Sequence, residues 1–63
     1  MNKKTEDYII ADDYTYHQKF FSEVIARVKA HNISMEVRDT PFYVIHIPTG
    51  DILHTFVNGE RRD

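Results

Sequence analysis

Residues 42–57 read Phe-Tyr-Val-Ile-His-Ile-Pro-Thr-Gly-Asp-Ile-Leu-His-Thr-Phe-Val. Two runs rich in β-branched and aromatic residues flank Pro48-Thr49-Gly50-Asp51, the tightest turn signal in the chain, where Gly50 can take a positive φ at no steric cost. The stretch predicts a β-hairpin that is apolar on both faces. A two-residue loop at Thr49-Gly50 would set Ile47 opposite Ile52, Ile45 opposite His54 and Tyr43 opposite Phe56, and opposed residues share a face. A three-residue loop would slip the pairing by one.

A hairpin with two apolar faces needs two covers. The chain offers one amphipathic helix, over about residues 13–31. Tyr14, His17, Phe21, Val24, Val28 and His31 follow helical spacing, with Phe20 and Ile25 widening the stripe. Asp13 and Thr15 are candidate caps, and Thr15 with Gln18 fits the capping box. Glu23 and Arg27 form an i,i+4 pair of favourable orientation. Asn32 suits the left-handed C-terminal cap, with Ile33 folding back on Val28. The period then falls to two. Ile33, Met35 and Val37 alternate with Ser34, Glu36 and Arg38, which reads as a strand, and Asp39-Thr40-Pro41 is a turn. Residues 1–11 read as an N-terminal arm and 58–63 as a charged tail, with Asn58-Gly59 ending the last strand. The expected fold is α+β: one N-terminal helix on a three-stranded antiparallel meander (αβββ), two layers, in a single small domain spanning 1–63.

On that layout Tyr43, Ile45, Ile47, Ile52 and Phe56 face the helix, leaving Phe42, Val44, Leu53 and Val57 on the other side. Burying each is worth ~1.5–3 kcal/mol. Together that rivals the ~3–9 kcal/mol net stability of a chain this short. Three covers suggest themselves: the Tyr8–Ala11 run, a second copy, or another protein. The partner-binding residues are therefore expected to be Phe42, Tyr43, Val44, Leu53 and Val57, with Phe42 and Tyr43 as aromatic anchors.

Composition narrows the alternatives. Sixty-three residues without a cysteine exclude a disulfide or thiolate-zinc framework. What remains is an efficient core, oligomerisation or a bound partner. No run approaches the ~20 apolar residues of a membrane span. Met1-Asn2-Lys3-Lys4 is followed by Thr5-Glu6-Asp7 rather than the apolar core of a signal peptide, so a soluble, cytoplasmic protein is expected. The net charge of −2, from ten acidic and eight basic residues, lacks the basic excess of most nucleic-acid binders. A smaller basic set, Lys3, Lys4, Arg38, Arg61 and Arg62, with tyrosines to stack bases, keeps a nucleic-acid-binding regulator as the alternative.

Candidate chemistry is sparse. His17, His31, His46 and His54 lack zinc-motif spacing, and the two-residue turn puts His46 and His54 on opposite faces. Asp12, Asp13, Asp39 and Asp51 all fall at predicted caps or turns. Neither a metal nor a cofactor is expected. The helix-then-three-strand order over about residues 18–57 resembles the small interferase toxins of the double-stranded-RNA-binding-like class. Their Gly-Ser-His signature corresponds here to Thr40-Pro41-Phe42, without the catalytic histidine, and their closing helix has no counterpart. Through that resemblance an RNase-toxin-like domain using His46 or His54 is a second alternative. The leading expectation is a non-enzymatic, homodimeric protein-binding module, an inhibitor or regulator of the kind a phage or other mobile element encodes.

Overall fold

The structure, a computed structural model, describes residues 5–63. Strands β1 (Tyr8–Ala11) and β2 (Tyr16–Phe20) form a hairpin, helix α1 (Glu23–Glu36) follows, and β3 (Phe42–His46), β4 (Asp51–Val57) and β5 (Glu60–Arg61) complete one five-stranded sheet. The strand order is β2-β1-β3-β4-β5, antiparallel throughout. Because β1 is antiparallel to both β2 and β3, those two run parallel to each other. They can be joined only by a crossover, and α1 supplies it.

This corrects the expected αβββ fold: the helix lies in the middle of the chain and the sheet has five strands. The cap signals at 12–15 are turn signals. Asp12 Oδ1 accepts from the backbone N–H groups of Tyr14 and Thr15 at 2.7 and 2.8 Å. The Asp12 N–H donates to the Thr15 carbonyl at 3.0 Å and closes the hairpin. An aspartate that binds the backbone two and three residues ahead favours a turn over a helix start. The aromatic and β-branched residues on either side then pair as strands. The Tyr8–Ala11 run does not lie across the hairpin's second face; it pairs edgewise with β3, Ile9 opposite Ile45 and Ala11 opposite Tyr43. With the αβββ order gone, the resemblance to the interferase toxins lapses.

The helix starts at Ser22, whose Oγ accepts from the Ile25 N–H at 3.4 Å, and Glu23 in the first turn opposes the dipole. It runs through residues 33–36, which read as a strand. Three apolar residues at alternate positions are too few to separate a period of 2 from one of 3.6. The Val37 N–H closes the last turn on the Ile33 carbonyl at 2.9 Å, and left-handed Asp39 (φ 61°) turns the chain. Asn58-Gly59, both at positive φ, form a two-residue hairpin turn into β5. The expected tail thus begins with a strand. Asn58 also clasps Asp39: its Oδ1 accepts from the Asp39 N–H at 2.7 Å, and its Nδ2 donates back to the Asp39 carboxylate at 3.2 Å.

Small residues set the helix–sheet distance. Ala26, Ala30 and Ser34 repeat every four positions and are fully buried. They let α1 close on a core of Ile10, Phe20, Phe42, Val44 and Phe56, flanked by Tyr8 and Ile33. Phe42 and Val44 are 1% and 0% exposed. The assignment of hairpin faces is therefore reversed on β3: Phe42 and Val44 face the helix, and Tyr43 and Ile45, with Ile52, the opposite side, while Phe56 faces the helix as expected. Packing with Ile10, Phe20 and the alanines of α1 chooses the side, and the turn changes which residues pair. Strands β3 and β4 are joined by four residues, 47–50, with the Gly50 N–H on the His46 carbonyl at 2.7 Å. Phe42 then pairs with Phe56, Val44 with His54, Ile45 with Ile52, and a register shift falls beside Leu53.

Candidate interaction surfaces

Two apolar surfaces are left outside the core. The first is the sheet face turned away from α1. Ile9, Ala11, Tyr43 and Ile45 lie along its centre, Lys19 stands opposite Ile9 on β2, and Ile52 opposite Ile45 on β4. Ile9 and Ala11 are buried by their neighbours on the face, whereas Tyr16, Ile47 and Ile52 are exposed. A shallow groove of about 350 Å³ runs between Ile9, Tyr16, Lys19, Ile45, Ile47 and Gly50. A second hollow of the same size adjoins it at Ala11, Tyr16, Tyr43 and Ile45, rimmed by Asp12 and Asp13. The Tyr43 hydroxyl donates to Asp13 Oδ1 at 2.7 Å, which ties the β1–β2 turn down onto β3. The bond to a carboxylate raises the Tyr43 pKa above its usual 10.0.

The second surface is the outward side of α1. Val24, Ile25, Val28 and Met35, with Phe21 just ahead of the N-cap, each keep about half of their surface in solvent, from 45% to 59%. This is the stripe whose spacing suggests an amphipathic helix. In the fold it is not what meets the sheet: the alanines and Ser34 do that.

The histidines sit in defined places. His17 Nε2 is 2.8 Å from Asp12 Oδ2, and its ring tilts over Phe42. That bond is the main cause of a lowered Asp12 pKa, with the Tyr14 and Thr15 N–H groups adding to it. His54 is buried, with Nε2 2.8 Å from Glu23 Oε2 and Nδ1 3.8 Å from the Asp63 carboxylate. It pins the helix N-terminus to β4. Asp63 accepts from the Thr55 N–H at 2.9 Å and from Arg61 Nε at 2.8 Å, which lower its pKa in that order. His46 Nδ1 lies 3.0 Å from Thr49 Oγ1 inside the turn. His46 and His54 share the helix-facing side, as in the slipped register. Among the described residues, no group of three or more histidines and carboxylates is placed to hold a metal ion. A hollow of about 510 Å³ lies between α1 and β2, with Ile10, Phe20 and Ile33 beneath a rim of His17, Gln18, Lys29, Asn32 and Glu36.

Of the expected partner-binding residues, Phe42 and Val44 are core, Tyr43 lies on the open face, and Leu53 and Val57 are half-buried on β4. The residues sequence reasoning left out are Tyr16, Ile45, Ile47 and Ile52. Only a correct strand reading of 16–20 and a four-residue turn would have found them. The expected basic set is not drawn together. Lys3 and Lys4 lie outside the described residues. Arg61 bonds Asp63, Arg62 reaches Glu60 at 3.4 Å, and Arg38 stands in the turn after the helix. Among the described residues no helix is long and apolar enough to cross a membrane. No family model, no curated protein and no solved structure matches this chain.

Proposed function

We propose that this chain is a non-enzymatic protein-binding module that acts by occupying a surface of another protein with the open face of its sheet. One observation carries the reading: Tyr16, Ile45, Ile47 and Ile52 line a continuous apolar face, and among the described residues its groove has a single charged side chain, Lys19, on its wall. Contiguous exposed apolar surface with a polar rim is the mark of an interaction site. Tyrosine and isoleucine on a rigid sheet lose little conformational entropy on docking. The groove is too shallow to enclose a small molecule but suits an inserted apolar side chain. Lys19 favours a partner that carries a carboxylate beside that side chain.

The test is capture by tagged protein from host extract, identification by mass spectrometry, and titration of the purified partner. Ile52→Asp is expected to weaken binding at least ~tenfold, the effect of placing an unpaired charge in a desolvated contact. Arg38→Glu, away from the face, should leave it within about twofold. Equal affinity of the parent and Ile52→Asp would refute the assignment. Retention of RNA or DNA at low salt, lost steeply as salt rises, would replace it with nucleic-acid binding.

A further inference from the structure

We infer that the outward stripe of α1 is a self-association seam, covered by the same helix of a second copy in an antiparallel pair. Val24, Val28 and Met35 are separated by four and seven residues, and His31 between them packs edge-on against Phe56. Those spacings are the ones at which one helix offers a seam to another. Ile25 widens the stripe, and Phe21 extends it beyond the N-cap. A two-fold axis at Val28 lays the stripe on itself, so that Met35 falls beside Phe21 of the second copy. The interface is isologous, so each copy supplies what the other lacks.

The area matches what such a contact needs. A stable interface takes ~800 Å² from each partner, of which rather more than half, ~450 Å², is apolar. Five large apolar residues about half exposed, at roughly 150–200 Å² each when fully exposed, present about that amount. The chain's total surface is 4517 Å², so the contact would take about a sixth of it. Three charged residues of the helix are turned elsewhere. Glu23 is turned to His54, and Lys29 and Glu36 line the hollow on the β2 side. Antiparallel packing also sets the positive end of each helix dipole beside the negative end of its mate.

The open sheet face lies on the far side of each copy from this axis. A dimer built this way presents two binding faces outward, and the inference does not depend on what those faces bind.

Sedimentation velocity over ~0.1 µM to ~1 mM is the first measurement, because a contact of this size can associate at micromolar concentration or below. The parent is expected to sediment faster as concentration rises. Val28→Arg, at an exposed helical position, should raise the dissociation constant at least ~tenfold with unchanged helical circular dichroism. The native chain has no cysteine, so a single introduced one reports proximity cleanly. Oxidation of Val28→Cys should give a covalent dimer, and oxidation of Ile52→Cys should not. A parent that stays monomeric across the range, a Val28→Arg variant that associates like the parent, or cross-linking at Ile52 in place of Val28 overturns the seam.

Discussion

Ser34 shows how much one buried polar residue can hold. Its hydroxyl donates to the His31 carbonyl at 2.8 Å and accepts from the Gly59 N–H at 2.9 Å, joining the last turn of α1 to the β4–β5 turn. In a strand, as its alternation suggests, Ser34 would have pointed to solvent. In the helix it is fully buried, and its oxygen is the partner of the half-buried Gly59 amide. Gly59 itself has no spare room: φ is 80°, and an added Cβ would fall 2.5 Å from Met35 Cγ. Ser34→Ala is expected to destabilise by ~1–2 kcal/mol, because it orphans a donor. That corresponds to a fall of roughly 5–15 °C in Tm for a chain this size, readable by thermal circular dichroism. A shift under about 2 °C would mean the Gly59 amide finds another partner.

At the scale of elements, the helix is understood from its narrow side. Ala26 and Ala30 carry little apolar area, yet they decide where the large residues go. Ala30→Leu should lift α1 from Phe42 and Val44 and cost ~1–3 kcal/mol by overpacking. Val24→Ala, on the outward side, should change stability in dilute solution by less than about 0.5 kcal/mol. Urea titration of both variants distinguishes them, and equal losses would mean the helix has rolled on the sheet. The same elements show what was legible beforehand. The hairpin at 42–57 and the helical stripe over Val24–Val28 were present as local signals. The β1–β2 hairpin was hidden because Tyr14, His17 and Phe21 satisfy a helical period, although Tyr14 lies in the turn, His17 in β2 and Phe21 in the bend ahead of the helix. The Asn58-Gly59 turn was a strong hairpin signal that a reading of the last residues as tail passed over.

For the whole molecule, two carboxylates at different ends of the sheet tie acid stability to the fold. Asp12 holds the β1–β2 turn and Asp63 holds the chain end against Thr55 and Arg61. Both pKa values are lowered below 3.8 in the folded protein. The unfolded chain therefore binds protons first as pH falls. The stability these groups contribute is present above pH 3.8 and is lost as pH drops through the lower folded values. The urea midpoint should fall in that window. Asp12→Asn with Asp63→Asn should lower the midpoint at pH 7 and flatten the acid limb, and an unchanged limb would place the acid sensitivity elsewhere.

Sequence alone determined some of the local units: the turn at Pro48–Asp51, that residues 42–57 pair with themselves, and that a helix carries apolar residues at 24, 25 and 28. These follow from φ preferences and side-chain period, which act over a few residues. The tertiary structure decided which faces are covered. Alternation says which side chains share a side of a strand, not which side meets the helix. That choice was made by contacts far apart in sequence: Ile10 and Phe20 joining Phe42, Val44 and Phe56, and Ala26, Ala30 and Ser34 closing over them. Burying the bulkiest set under the narrowest side of the helix leaves Tyr43, Ile45 and Ile52 on one outer surface and Val24, Val28 and Met35 on the other.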